Sequence, residues 1–201
     1  MPARTLVLAS GSPARLRLLR DAGIDPVVRV SGVAEDDVDP DDIAGSVGRL
    51  AAAKAGAVAR ADGDDLVIGC DSMLEFDGRP HGKPASVEEA RSWLTRMRGG
   101  AGVLHTGHCV IDEATGARAS AVVGTTVRFG TTTDAELDAY LSTPDALEVA
   151  GAFTLDGRSA PFVDGIVGDP GNVIGLSLPA LRWLLGELGV SITDLWREVD
   201  R

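Results

Sequence analysis

Apolar and polar positions alternate along this chain in two periods, and the switches between them mark its elements. Thr5-Leu6-Val7-Leu8 is a short apolar run of the kind a buried strand shows. Ala9-Ser10-Gly11-Ser12-Pro13 breaks it. From Ala14 onward Leu16, Leu18 and Leu19 interleave with Arg15, Arg17 and Arg20, a pattern for a helix lying on a sheet. Ser12 is its natural N-cap, Pro13 suits the first helical position, and Gly23 closes it. Residues 26–30 read as a second strand and 31–37 as an acidic loop. Asp41 and Asp42 cap a helix whose apolar positions Ile43, Val47, Leu50, Ala51 and Val58 keep helical spacing as far as Arg60. Residues 65–70 form a strand with Asp71-Ser72 at its end, followed by a hairpin around Asp77-Gly78.

The second half continues the alternation. Ser86 and Glu89 open a helix carrying Ala90, Trp93, Leu94 and Met97 on one side, ended by Gly99-Gly100. Residues 103–111 and 121–129 are strands with a turn near Thr115-Gly116. Thr133 and Glu136 form a second capping box, for a helix through Tyr140-Leu141. Residues 151–157 read as strand and turn, 162–167 as strand, and 168–172 as a turn-rich loop. An amphipathic helix over 178–188 and a short one over 193–199 complete the chain. Strands alternating with helices make an α/β protein. No repeat, low-complexity tract or linker divides it, so residues 1–201 are expected to form one domain.

Composition narrows the function. A net charge of −11 argues against a nucleic-acid or anionic-membrane surface, since such partners are held by neutralising phosphates. It leaves room for a local basic pocket. Lys54 and Lys83 are the only lysines in an arginine-rich chain. Cys70 and Cys109 sit in apolar runs without metal-type spacing, as core thiols of a reducing compartment do. No signal-peptide or membrane-length apolar run occurs, so a cytoplasmic protein is expected.

Candidate chemistry begins at the first loop. A helix N-terminus leaving a strand directly presents free N–H groups, and with Ser10, Ser12 and Arg15 beside it forms an anion cradle. An ordinary capped turn explains that loop equally well on its own. Glu35 sits in a loop of the solvated kind, Lys54 on an alanine-rich helix where a lysine usually faces water, and Asp71 where a turn-forming Asp is common. Lys83 is pinned between Gly82 and Pro84, which makes it the less idle of the two lysines.

Taken in order, these residues resemble the Maf family of septum-formation-type nucleoside triphosphate pyrophosphatases. The matching stretches run from Leu8-Ala9-Ser10-Gly11-Ser12-Pro13-Ala14-Arg15 through Glu35, Lys54-Ala55 and Val67-Ile68-Gly69-Cys70-Asp71-Ser72. They continue with Gly82-Lys83-Pro84, Thr106-Gly107, Ala150-Gly151-Ala152-Phe153 and Gly168-Asp169-Pro170-Gly171-Asn172-Val173-Ile174-Gly175-Leu176. The resemblance implies a strongly curved mixed β-sheet flanked by helices, with two lobes around a central cleft, and often a homodimer. It implies hydrolysis of a nucleoside triphosphate between the α and β phosphates. Asp71 is then the general base, and Ser10, Ser12, Arg15, Lys54 and Lys83 hold phosphate. Glu35 with Asp71 holds Mg²⁺ or Mn²⁺. This chain departs from the family pattern at Ala14, where a second arginine is usual, at Ser72, often Thr, and at Asp156, where the pyrimidine-preferring branch has Gln. Gly102 and His105 also differ. A carboxylate only accepts hydrogen bonds, so Asp156 implies a base edge offering a donor rather than a dTTP/UTP preference. Two rival readings remain at this point: another phosphohydrolase or nucleotidyl transferase using the same cradle, and a nucleotide-binding regulator of septum formation without turnover.

Overall fold

The longest strands set the architecture. The computed structural model describes residues 4–35 and 38–197; the acidic end of the 31–37 loop and the last residues of the helix expected over 193–199 therefore lie outside it. In chain order the elements are β1 (Leu6–Leu8), α1 (Pro13–Asp21), β2 (Val27–Val28), α2 (Ile43–Val58), β3 (Leu66–Phe76), β4 (Arg79–His81) and α3 (Val87–Met97). Then come β5 (Ala101–Asp112), β6 (Arg118–Phe129), α4 (Asp134–Leu141), β7 (Val163–Val167), α5 (Pro170–Ile174) and α6 (Leu178–Glu187). The strands form one mixed seven-stranded sheet in the order β2-β1-β3-β5-β6-β7, with β4 added on β3. β1 runs parallel to β2 and β3, while β3, β5, β6 and β7 pair antiparallel.

Strand β3 organises the rest. One of its edges is paired with β5 from Leu66 to Glu75. The other is shared: β1 takes Leu66 to Ile68, and β4 takes Leu74 to Phe76. Between them residues 69–73 face no strand among the described residues, and there the sheet parts into two lobes. Side-chain alternation sends Leu66, Ile68 and Cys70 into a core with Leu19 of α1 and Leu181, Leu184 and Leu185 of α6. Val67 faces the other way, against Ala51 and Ala55 of α2. Further along, Leu74 and Phe76 build the second lobe with Met97, Phe129 and Phe153.

Three expectations are corrected. β3 does not end before Asp71 but continues five residues past it, because β5 supplies backbone partners throughout and buried cations satisfy the polar side chains. Residues 151–157 are not a strand: Gly151 and Ala152 take left-handed φ of 69° and 61°, a short 3₁₀ turn that places Gly151 N–H 2.9 Å from the Gly82 carbonyl. The loop over 168–172 contains the start of α5, with Asp169 as N-cap and Pro170 in the first turn, the same logic as Ser12-Pro13. Both cysteines are free and buried, and burial pushes the Cys70 thiol up to about 11, so it stays an unreactive core group. No helix among the described residues is long and apolar enough to cross a membrane.

Candidate active site

The parting of the sheet opens a crevice of about 1030 Å³, large for a small-ligand site and roomy enough for a whole nucleotide. Its lining gathers Ser10, Ser12, Ala14, Arg15, Glu35, Lys54, Asp71, Ser72, Lys83 and Asp156, and leaves out Gly102 and His105. Residues 144–157 of the second lobe form the opposite wall.

Asp71 and Ser72 are neighbours on a strand and so point to opposite faces. Each collects a cation from its own side. On the α2 face, Lys54 Nζ lies 2.6 Å from Asp71 Oδ1 and 2.6 Å from Glu35 Oε1. Lys54 is 4% exposed, the reverse of the solvent-facing lysine its helix implied. Two glycines make that reach possible. A Cβ at Gly69 would lie 2.6 Å from Ala55 N, and one at Gly107 would lie 2.8 Å from Gly48 N, so α2 rests directly on the sheet backbone. Gly107 is the cross-strand partner of Asp71.

On the other face, Arg15 is held from three directions. Its Nε donates to the Gly175 carbonyl at 2.7 Å, Nη1 to Ser10 Oγ at 3.0 Å and Nη2 to Ser72 Oγ at 3.0 Å. Ser12 caps α1 by accepting from Arg15 N, and Ser12 N in turn donates to Ser10 Oγ at 3.2 Å. The expected cradle is therefore built as one piece, with the guanidinium as its tie. Lys83 stands exposed on the turn after β4, steadied by the Gly82–Gly151 contact and by His81, whose ring packs edge-on against Trp93 at 4.9 Å. Across the crevice mouth Asp156 pairs with Arg17 of α1 and accepts from the Thr154 hydroxyl.

The two carboxylates are shifted in opposite directions from their ordinary values. Burial pushes Asp71 above the ordinary range, with Glu35 adding to it, against the pull of Lys54 and Arg15. Burial also raises Glu35, but there Lys54, with Lys83 and Arg15 behind it, wins and the net shift is downward. Asp71 is thus a better proton acceptor than an ordinary aspartate, and Glu35 more firmly ionised than an ordinary glutamate. Among the described residues no group of three or more His, Cys, Asp or Glu could hold a metal by itself. Two carboxylates meeting at one ammonium still fit a hard, oxygen-preferring ion that completes its shell with water and phosphate.

Sequence reasoning placed five supporting residues in matching stretches but gave them no role: Gly69 and Gly107 under α2, and Thr106, Asn172 and Gly175 behind Arg15. A glycine inside a strand was the available signal for the first pair.

The family model described as Maf-like protein matches residues 5–188. A nucleoside triphosphate pyrophosphatase of Streptomyces avermitilis is 58% identical over 197 residues, covering 97% of this chain and 96% of that protein. One from Streptomyces coelicolor is 58% identical, covering 99% of this chain and 98% of its own. A third, from Salinispora tropica, is 53% identical, covering 95% and 87%.

Proposed function

The chain belongs to the Maf-like protein family, and from that premise we propose that it is a nucleoside triphosphate pyrophosphatase, cleaving between the α and β phosphates to release a nucleoside monophosphate and pyrophosphate. The observation that carries this reading is the buried Lys54 ammonium held between Glu35 and Asp71 at the wall of a cation-lined crevice.

Phosphoryl transfer to water needs charge neutralisation and in-line positioning more than covalent help. The α1 N-terminus, Ser10 and Ser12 donate hydrogen bonds to phosphate oxygens. Arg15 keeps one N–H on each terminal nitrogen beyond its three protein bonds and offers them to the same group. Lys54 and Lys83 supply compact positive charge. Asp71, whose basicity burial raises, takes the proton from the attacking water; Lys54 holds its oxygen in place. Glu35 and Asp71 would hold a Mg²⁺ or Mn²⁺ ion, which when bound offsets phosphate charge. The nucleoside lies toward residues 144–157, where Asp156 has lone pairs left for an amino group on the base edge. Ala14 and Ser72 shape the wall between phosphate and nucleoside. We place this activity in the cytoplasm, on free nucleotides.

The test is a panel of standard and modified triphosphates with Mg²⁺ or Mn²⁺, read by malachite green with and without added inorganic pyrophosphatase. Phosphate that appears only when the second enzyme is present supports the reading. Orthophosphate released directly, or no turnover with any nucleotide, refutes it.

A further inference from the structure

Arg15 is tied to the protein by a bond that runs further than its first partner. We propose that Thr106 and Asn172 are positioning residues for Arg15, acting through a one-way hydrogen-bond relay across β3 and β5; this rests on the phosphate-binding role of Arg15 given above.

The direction of the relay follows from counting protons. Thr106 Oγ1 lies 3.0 Å from the Asn172 backbone carbonyl, which can only accept, so the Thr106 hydroxyl spends its proton there. Thr106 Oγ1 is also 3.0 Å from Ser72 Oγ. With its proton committed, Thr106 must accept, so Ser72 donates. Ser72 Oγ is then free to accept from Arg15 Nη2 at 3.0 Å, and a guanidinium can only donate. Arg15 to Ser72 to Thr106 to Asn172 is therefore fixed at both ends. Each hydroxyl gives one bond and takes one, the arrangement in which successive dipoles reinforce.

The far end is anchored as firmly as the near one. Asn172 is fully buried, and its Nδ2 donates to the Leu104 carbonyl and to Thr125 Oγ1, each at 3.1 Å. Thr125 Oγ1 donates to the Asp169 carbonyl at 3.2 Å. Helix α5 is thus stitched to β5 and β6, and it holds Arg15 by two arms: directly, through the Gly175 carbonyl and Nε, and by relay, through the Asn172 carbonyl and Nη2. A long side chain on α1 is thereby set against the opposite end of the chain before any phosphate arrives. Such preorganisation lowers the ordering cost of binding.

The experiment compares Thr106→Val, which keeps shape and deletes the hydroxyl, with Thr106→Ser, which keeps the relay. The readouts are KM and kcat for the best nucleotide of the panel, and affinity for inorganic tripolyphosphate by calorimetry. Two interrupted neutral bonds predict about a tenfold loss of kcat/KM and of tripolyphosphate affinity in Thr106→Val, and less than twofold in Thr106→Ser. In an Arg15→Lys background, which has charge but no fork, Thr106→Val should change neither readout further. Ser72→Ala, which cuts the relay one bond nearer Arg15, reports the same loss should Thr106→Val not fold. A Thr106→Val enzyme within twofold of wild type, or an equal loss with Arg15 replaced, overturns the proposal. If the wild type releases no pyrophosphate from any nucleotide, the functional reading falls, while the tripolyphosphate arm still decides the relay.

Discussion

Replacing Gly69 with alanine should prise α2 off the sheet and carry the ammonium away from its carboxylates. The new Cβ would sit 2.6 Å from Ala55 N, closer still to the Ala51 carbonyl oxygen, and 3.1 Å from Ala55 Cβ. Two of these neighbours are helix backbone, which cannot swing aside as a side-chain tip can. Ordinary contact begins at 3.4 Å, so the helix must withdraw by at least 0.8 Å. Applied to the 2.6 Å Lys54–Asp71 bond, that displacement leaves it near the limit of a hydrogen bond unless the lysine stem re-extends.

Overpacking of this kind costs about 1–3 kcal/mol, a fall in Tm of roughly 2–12 °C for a chain of this size. Misplacement approaching 1 Å costs up to about 100-fold in turnover. Gly56→Ala is the control on the same helix, since its Cβ would meet nothing within 4 Å. It should stabilise by about 0.5–1 kcal/mol and leave kcat alone. Thermal unfolding and pyrophosphate-coupled turnover, measured well below both melting points, read the two effects separately. A Gly69→Ala enzyme with kcat within twofold of wild type would refute the claim that glycine-level contact sets the Lys54–Asp71 geometry.

Three further outcomes follow from the same geometry. Asp71→Asn should lose about 10²–10⁴-fold in kcat with a native circular-dichroism spectrum, and the acid limb of wild-type kcat/KM should lie above the ordinary carboxylate pKa, because the base works only when ionised and burial raises it. A limb at or below the ordinary value would remove that role. Fully buried His108 accepts from Ser177 N at 2.9 Å, and burial, then Arg15, lower it from 6.5 to about 4; its folded form resists protonation, so stability present above pH 6.5 is lost as pH falls toward 4, by up to about 3 kcal/mol. Urea unfolding across that window should show the slope, and His108→Gln should flatten it; an unchanged slope assigns the loss elsewhere. Asp156→Gln should alter the ratio of kcat/KM between amino-bearing and keto-bearing bases by about tenfold, while a wild-type optimum on dTTP or UTP would end the acceptor argument.

What the sequence made legible was whatever is encoded locally. Ser12-Pro13, Asp42, and Thr133 with Glu136 announce helix starts through capping chemistry that acts within one turn, and the structure places caps at each. Asp169-Pro170 carries the same signal, but five turn-prone residues around it masked a helix of a single turn. The burial of Lys54 is illegible locally for a different reason. Alanines on both sides give almost no contrast between inner and outer faces, so burial there is decided by Gly69 and Gly107 on strands far along the chain. Asp71 reads as a strand end because a carboxylate inside a sheet needs a partner that no local window contains. The bonds that hold Arg15 reach as far as Gly175, 160 positions along the chain, and only the folded sheet reveals them.

The two kinds of cation do different work here, and their geometry explains why the chain keeps both. Arg15 has three separate partners in three directions, a serine, a second serine and a carbonyl, which only a planar fork with donors on three nitrogens can satisfy at once. Lys54 has two carboxylate oxygens converging on one nitrogen at equal distance, which suits a point charge on a narrow stem. A guanidinium in that place would need more room than the narrow lysine stem, in a site where α2 already touches the sheet backbone. The division also follows the sheet: the fork is rooted on the α1 face at Ser72, the point charge on the α2 face at Asp71, and the free edge of β3 between residues 69 and 73 is where one ligand can meet both. Consecutive residues on a strand edge that is unpaired among the described residues thus suffice to bring a guanidinium and a buried carboxylate to the wall of one crevice.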